Sequence, residues 1–296
     1  MIKPIVLMTL LLASPALAET VPVKTARGVV DAPLAPETIA VFDLAALDSL
    51  WALGVQPQGL VRPVYLPYLE DAAAGTDVVG SLFEPDYEAL FAMNPDLIIA
   101  GGRSSDQVPE LARIAPTVDM TIWEDTIGEG LARLDAYGDI FGKQDQAAAL
   151  TADFHAKLAE TNKALANKGT ALIVMTNGPK ISAYGSGGRF GWLHEALGLP
   201  EAAEGMQKAN HGEAISFEFI RDANPDILLV IDRMAAIGQD GEGARTTLDN
   251  ALVHETTAWK TGQVVFLSAA PIYIAGGGIH SMNLTLDELN SALSEP

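Results

Sequence analysis

Two segments of the chain, 88–103 and 218–233, carry the same pattern and align without a gap. Each pattern predicts the end of a helix, a break at Asn-Pro, and then a buried apolar strand that is followed by an arginine. The chain is therefore predicted to contain two copies of one α/β unit. Because ligands of open α/β sheets bind beyond the carboxyl ends of the strands, Arg103 and Arg233 are placed where two lobes close on one anionic ligand.

The alternation of short apolar strands with helices predicts an α/β fold with two Rossmann-like lobes and mostly parallel sheets. We expect an N-terminal lobe over residues 19–142, a linking helix over 143–168 and a C-terminal lobe over 169–296. The helical pattern from 144 to 167, with Gly169 as its C-terminal cap, spans about 35 Å at 1.5 Å per residue. A single long connection of this kind indicates limited hinge motion.

Residues 1–18 have the pattern of a secretory signal peptide, with Lys3 before an apolar stretch and Ala16-Leu17-Ala18 as a small-residue cleavage site. We expect export to the periplasm with cleavage after Ala18. The chain has no cysteine, so disulfides, thiolate metal sites and a lipid anchor on an N-terminal cysteine are excluded. No direct membrane anchor is predicted.

The formal net charge is -20, which makes nucleic acid and anionic lipid unfavourable partners. Arginines at corresponding strand ends stand out against this background. A third arginine, Arg189, ends a glycine-rich loop and precedes Phe190 and Trp192, so it suits a planar anionic ligand by charge pairing and stacking. Alternatively, these aromatic residues begin a helix over 192–197 and face the core.

His211 and Tyr273 are predicted on loops near the same cleft, Tyr273 after a strand over 264–268 and before a closing helix that starts at Thr285. An imidazole and a phenolate together suit Fe(III), because a hard trivalent ion stabilises the phenolate. Taken alone, a loop histidine is more often a surface residue, and a lone tyrosine carries even less information.

Glu88 and Glu218 occupy the matching start of each repeat, near predicted helix N-termini. The helix dipole favours a carboxylate there. The alternative is that one exposed carboxylate on each lobe forms a docking point for a partner with two basic sockets.

The chain resembles bacterial periplasmic solute-binding proteins of the helical-backbone class (class III), which serve iron-siderophore and cobalamin ABC importers. Within that class it is most similar to the ferric catecholate (enterobactin-type) siderophore-binding proteins. The resemblance covers the predicted mature chain and is carried by Phe42-Asp43, 88–103, 187–189, 211–212, 215–218, 224–233 and Tyr273 before a glycine run.

This resemblance implies roles for particular residues. Arg103, Arg189 and Arg233 would hold the anionic catecholates, and His211 and Tyr273 would complete the iron shell when a siderophore offers only two catechols. Glu88 and Glu218 would dock to arginines of an inner-membrane ABC permease. Many members of this family are anchored through a lipidated cysteine, from which this chain departs.

We therefore predict a monomeric, non-catalytic protein that captures a ferric siderophore and delivers it to an importer, with Fe(III)-siderophore as ligand and no intrinsic cofactor. Alternatives are binding of haem or of another ferric chelate, such as citrate or a mixed-donor compound. A remoter one is a periplasmic hydrolase using Ser104 or Ser186 with His211, although no Gly-x-Ser-x-Gly elbow occurs.

Overall fold

The computed structural model describes residues 19–206 and 211–293, so the predicted signal peptide and its cleavage site lie outside the described part. The strands are β1 (Thr20–Thr25), β2 (Gly28–Pro33), β3 (Ile39–Val41), β4 (Gly59–Leu60), β5 (Asp77–Val78), β6 (Leu97–Ala100), β7 (Thr117–Asp119), β8 (Ala171–Asn177), β9 (Lys180–Tyr184), β10 (Glu213–Ile215), β11 (Ile227–Asp232) and β12 (Val264–Phe266).

Short and long helices alternate with these strands. They are α1 (Leu44–Ala52), α2 (Glu70–Ala73), α3 (Tyr87–Met93), α4 (Val108–Leu111), α5 (Thr126–Phe141), α6 (Gln144–Leu165), α7 (Trp192–Glu195), α8 (Phe217–Ala223), α9 (Arg233–Ala236), α10 (Ala244–Leu248), α11 (Ala251–His254), α12 (Thr257–Lys260), α13 (Ala269–Ile274) and α14 (Ile279–Leu293). Two 3₁₀ helices cover Pro67–Leu69 and Gly102–Gln107.

The two lobes each contain one five-stranded sheet. The first has the order β5-β4-β3-β6-β7 and is parallel throughout. The second has the order β10-β9-β8-β11-β12, in which β8, β11 and β12 pair in parallel and β9 is the reversed strand, paired antiparallel with both β8 and β10. A hairpin of β1 and β2 precedes them. The predicted α/β class with two mostly parallel sheets and one long connecting helix is confirmed.

The sequence repeat is also a structural repeat. Helices α3 and α8 begin with side-chain caps from Asp86 and Ser216, which accept hydrogen bonds from backbone N–H groups three residues on. Both helices end at the asparagine before proline, where Asn94 (φ 50°) and Asn224 (φ 42°) adopt the left-handed conformation. Asparagine tolerates this conformation better than most residues, which explains its place at both breaks.

The aspartate of each Asn-Pro-Asp sequence fixes the entry of the chain into its lobe. The Asp96 carboxylate accepts a hydrogen bond from the backbone N–H of Thr38 (2.8 Å), just before β3. The Asp226 carboxylate accepts one from the N–H of Thr170 (2.8 Å), just before β8. Each repeat therefore connects its helix-strand break to the first parallel strand of its own lobe.

The ends of two helices differ from the sequence prediction. Helix α6 ends at Leu165, so Gly169 is not its C-terminal cap. At Gly169 φ is 99°, and a Cβ atom there would lie 2.2 Å from an Asp226 carboxylate oxygen, so this glycine permits the close approach of Asp226. Helix α14 starts at Ile279 and not at Thr285, because the buried Asp48 carboxylate accepts hydrogen bonds from two N–H groups of its first turn.

The core runs through both lobes. Helix α14 packs against α6 and α1, so the C-terminal segment returns to the N-terminal lobe. Along β11, Ile227, Leu229 and Ile231 belong to the main core while Leu228 and Val230 pack on the opposite face of the sheet. This alternation is expected for a strand covered on both sides. Within the described ranges, no helix has the length and apolar content needed to cross a bilayer.

Candidate ligand-binding site

The fold places three arginines in segments that follow strands. Arg103 lies in the 3₁₀ helix Gly102–Gln107 directly after β6, and Arg233 is the first residue of α9 directly after β11. Arg189 lies in the glycine-rich turn between β9 and α7, where the N–H of Ser186 donates to the Glu201 carboxylate (2.6 Å) and anchors the turn. The positions of Arg103 and Arg233 after equivalent strands agree with the repeat in the sequence.

All three guanidinium groups converge on Tyr273. The Nη2 atoms of Arg103 and Arg189 donate to the backbone carbonyl of Tyr273 over 3.2 Å and 2.5 Å. Arg233 donates from Nε to the phenolic oxygen of the same residue over 3.1 Å. The guanidinium carbons lie 5.4 Å, 4.1 Å and 6.0 Å from the ring centroid, in the order of the chain. These distances place the ring among three cations.

The arginine cluster has no direct carboxylate contact among the described residues. Among residues 19–206 and 211–293, none of the three arginines has a carboxylate oxygen within 4 Å. Burial lowers the pKa of Arg189, and the neighbouring positive charge of Arg103 lowers it further. Three cations without a directly paired carboxylate, in a protein of net charge -20, create a local field that attracts an anion.

A cavity of about 360 Å³ opens between the lobes beside this cluster. Its size lies within the range of small-molecule sites. The first lobe contributes Asp43, Arg103 and Trp123 to its wall, and the second contributes Arg189, His211 and Tyr273. Arg233 is not a lining residue, and Tyr273 connects it to the cavity. The arginines are therefore not equivalent, since two reach the cavity wall and one contacts a residue of that wall.

Tyr273 lies in the short helix α13, not on the loop that the sequence predicted. In a sequence pattern Pro271 favours a loop. In the structure it lies in the first turn of α13, where backbone N–H groups have no hydrogen-bond partner within the helix, so the missing N–H of proline is tolerated. Burial raises the pKa of Tyr273, and the Arg233 hydrogen bond together with the three arginine charges lowers it more strongly, so the net pKa is below its ordinary value. The surroundings therefore favour a phenolate.

His211 is brought to the same cavity as Tyr273. It lies in the turn just before β10, is exposed to solvent, and lines the cavity wall. The antiparallel pairing of β10 with β9 holds this part of the chain beside the cleft. An accessible imidazole and a half-buried phenol thus face one cavity from the second lobe.

The described residues contain no group of three or more His, Asp or Glu side chains placed to hold a bare metal ion. A hard cation such as Fe(III) prefers six ligands with many oxygen donors. Any iron in this cavity would therefore take most of its ligands from a chelator that enters with it.

The sequence did not identify Asp43 as a site residue. It follows β3, and its carboxylate caps α1 by accepting a hydrogen bond from the N–H of Ala46 (2.8 Å). Burial raises the pKa of Asp43, although the hydrogen bond and the charge of Arg103 oppose this effect. Its position after a strand was the available signal. Trp123 follows the strand β7 and was likewise not identified from the sequence, although the same signal was available.

Glu88 and Glu218 are both exposed and both stand at the second position of their helices, α3 and α8. They occupy equivalent places on the two lobes. Neither lines the cavity between the lobes.

Ser104 does not have the geometry of a nucleophile. Its side chain is fully buried, and its hydroxyl bonds to the carbonyls of Phe42 and Gly101, at 3.2 Å and 3.1 Å. The hydroxyl therefore closes the turn after β6, and Ser104 is not available to a substrate in the cavity.

Comparison with known families gives a match between residues 39–271 and the model of a periplasmic binding protein family (Peripla_BP_2). The chain belongs to this family. The petrobactin-binding protein YclQ of Bacillus subtilis is 34% identical over 271 residues, which cover 89% of this chain and 84% of YclQ. The ferric-anguibactin-binding protein FatB of Vibrio anguillarum is 32% identical over 86% of this chain and 81% of FatB.

Solved structures of relatives have the same fold. The crystal structure of YclQ aligns with a TM-score of 0.88 at 33% identity, over 94% of this chain and all of that one (100%). The catecholate-siderophore binding protein VctP of Vibrio cholerae aligns with a TM-score of 0.86 at 29% identity, over 92% of this chain and 100% of that chain. The predicted fold of the class III periplasmic binding proteins is thus confirmed.

Proposed function

We propose that this periplasmic binding protein captures a ferric siderophore in the cavity between its lobes and delivers it to an inner-membrane ABC importer. The convergence of Arg103, Arg189 and Arg233 on Tyr273, without an acidic partner among the described residues, is the observation that carries the proposal. Relatives whose names specify petrobactin, ferric anguibactin and catecholate siderophores support the same ligand class.

The charge of the ligand accounts for the composition of the site. Fe(III) with two catecholates carries one net negative charge and leaves two of six coordination positions open. We propose that Arg103 and Arg189 contact the catecholate oxygens, while His211 and Tyr273 supply the two missing ligands. Arg233 acts on the same ligand through the Tyr273 oxygen. The lowered pKa of Tyr273 supports this role, since iron binds the phenolate.

Titration of the purified mature protein with a ferric bis-catecholate tests the proposal. We expect quenching of tryptophan fluorescence and a shift of the ligand-to-metal charge-transfer band. Both effects should weaken in His211→Ala and Tyr273→Phe, while the surface variant His155→Ala behaves as the wild type. A charge-transfer band that is identical in wild type and both variants would exclude direct iron ligation by these residues.

Glu88 and Glu218 are the proposed docking points for the permease. Their equivalent, exposed positions on the two lobes support contact with a partner that presents two basic sockets. In reconstituted importer, Glu88→Lys and Glu218→Lys should each reduce stimulation of ATP hydrolysis without changing ligand affinity. A full stimulation by both variants would contradict docking through these residues.

We also propose export through the signal peptide with cleavage after Ala18. The charged start, apolar stretch and small-residue site support this. Intact-mass measurement of the protein from a periplasmic fraction should give a chain that begins at Glu19. A mass that retains residues 1–18 would contradict the cleavage. That the protein is monomeric and is not an enzyme stays a prediction.

A further inference from the structure

Two aromatic side chains at the cavity are unusually exposed. Phe83 and Trp123 each show 62% of their surface to solvent, and both line the same cavity. Single exposed apolar residues are common on protein surfaces, but two large ones at one concave site indicate contact with a ligand or partner. Both come from loops of the first lobe, whereas Tyr273 and Arg189 belong to the second.

The turn that carries Phe83 is rigid. The Ser81 hydroxyl accepts hydrogen bonds from the N–H groups of Phe83 (3.3 Å) and Glu84 (3.0 Å). At Gly80 φ is 123°, and a Cβ atom there would lie 2.4 Å from the Glu84 carbonyl oxygen, so the chain can close this turn only with glycine. Leu82 is buried in the core beside it. The backbone that carries Phe83 is therefore fixed by local contacts, and the ring is exposed at the cavity.

The backbone at Trp123 is fixed in a similar way. The N–H groups of Trp123 and Glu124 both donate to one carboxylate oxygen of Glu129 in α5, over 2.5 Å and 3.2 Å. This contact holds the segment between β7 and α5 against the helix. Exposed aromatic rings on fixed backbones lose little conformational freedom when they bind, which favours their use as contact residues.

The cavity consequently has two chemically different regions. Arg103, Arg189 and Tyr273 provide cations and a phenol, whereas Phe83 and Trp123 provide apolar aromatic surface. A ligand that matches both regions has anionic oxygen donors on planar aromatic rings. A citrate chelate matches the charged region only, because its carbon skeleton has no aromatic face.

We propose that Phe83 and Trp123 form an aromatic rim that contacts the aryl rings of a ferric catecholate or phenolate chelate and selects it over ferric citrate. This inference rests on the proposed function and deepens it by naming the class of donor. Stacked or edge-to-face ring contacts strengthen binding by about 2- to 12-fold for each ring beyond the area that they bury.

Affinities of four variants for two probes test the rim. We expect Trp123→Ala and Phe83→Ala to weaken binding of a ferric bis-catecholate by about 10-fold each, and to change binding of ferric citrate by less than about twofold. Trp51→Ala and Phe91→Ala are matched controls, because these rings are 37% and 79% exposed and do not line the cavity. Thermal unfolding of each variant checks that the fold is intact.

A second measurement separates contact from a change of cavity shape. Trp123→Phe keeps an aromatic ring, so it should keep most of the bis-catecholate affinity while losing much of the fluorescence quenching that the ligand causes. Because Trp192 also lines the cavity, the quenching is compared in a Trp192→Phe background. Quenching that Trp123→Phe leaves unchanged in that background would place Trp123 away from the ligand and overturn the proposal.

The results of these experiments separate a failure of the proposed function from a failure of the aromatic rim alone. If wild-type protein binds neither ferric probe, the proposed function itself fails. If wild type binds the bis-catecholate and the alanine variants bind it equally well, only the aromatic rim fails. An equal loss of affinity for both probes would also overturn selection by ring contact, since citrate offers no ring.

Discussion

Arg233 donates a hydrogen bond from Nε to the phenolic oxygen of Tyr273, and its Nη1 atom donates a second one to the Asn177 side-chain oxygen (3.2 Å). The guanidinium is thus held between the end of β8 and the ring that faces the cavity. A donor that is fixed in this way stabilises the phenolate more than the phenol, because the charged acceptor makes the stronger bond. This relationship sets Tyr273 apart from the other buried tyrosines.

The first prediction concerns the ionisation of Tyr273. Burial raises the pKa of Tyr68, Tyr137 and Tyr184, whereas the surroundings of Tyr273 lower its pKa. Tyr273 should therefore ionise before these three as the pH rises. Arg233→Gln removes a charge and a hydrogen bond, so it should raise the pKa of Tyr273.

Ultraviolet difference absorbance measures this ionisation. Subtracting the titration of Tyr273→Phe from that of wild type isolates the Tyr273 step, and the same subtraction is made in the Arg233→Gln background. Arg113→Gln, on the exposed surface beside Glu110, is the control and should leave the step in place. If Tyr273 ionises at the same pH in Arg233→Gln as in wild type, the assigned role of Arg233 is contradicted.

The sequence predicted the positions of the arginines but not their common contact. Arg103 and Arg233 could be placed because they follow strands of a repeated unit, and the end of a parallel strand is a known ligand position. Their convergence on Tyr273 depends on α13, whose Ala-Ala-Pro start gave no helix signal. A side-chain contact between segments distant in the chain cannot be obtained from local periodicity.

Elements whose formation depends on tertiary contacts were missed in the same way. The start of α14 at Ile279 depends on Asp48, more than 200 residues away in the chain, which accepts the N–H groups of His280 and Ser281. Strand β10 forms because it pairs with β9. In contrast, the helix end and the strand predicted within 88–103 are present as α3 and β6, because their caps and apolar pattern are local.

The second prediction separates the arginines that line the cavity from surface arginines. Arg103→Ala and Arg189→Ala should each weaken binding of an anionic ferric chelate by about 10- to 100-fold, the range for a hydrogen bond to a charged group. The loss should shrink at high salt, because screening weakens the attraction in wild type. Fluorescence titration at low and high ionic strength checks both points. Arg113→Ala should bind as wild type, and a similar loss in this control would point to a general charge effect.

The third prediction concerns stability and pH. Burial raises the pKa of Asp48 to about 7 from its ordinary value of 3.8, although hydrogen bonds from Tyr68, His280 and Ser281 oppose the shift. Between these two values the folded protein binds a proton at Asp48 that the unfolded chain has released. The contribution of this residue to the free energy of unfolding therefore decreases as the pH rises through that window.

Asp48→Asn removes this titration. The variant should lose about 1–3 kcal/mol at the acidic end, because an amide satisfies the three donors less well than the acid does. The difference in the free energy of unfolding between variant and wild type should then shrink towards neutral pH, because the ionised Asp48 is a buried charge that destabilises wild type. Urea denaturation across this pH range measures how the free energy of unfolding changes with pH in wild type and in the variant. Parallel profiles for wild type and variant would show that Asp48 does not titrate in the window.

The last prediction compares the two aspartates of the repeat. Asp226 is half-buried and accepts hydrogen bonds from both the N–H and the hydroxyl of Thr170, whereas Asp96 is exposed and accepts the N–H groups of Glu37 and Thr38. Asp226→Ala should therefore destabilise the fold by about 1–3 kcal/mol, since it leaves part-buried donors unpaired. Asp96→Ala should lose less than about 1 kcal/mol, because water replaces the carboxylate. Chemical denaturation measures both values, with the exposed Asp240→Ala as control. Equal losses at both positions would indicate that burial does not set the strength of the repeated contact.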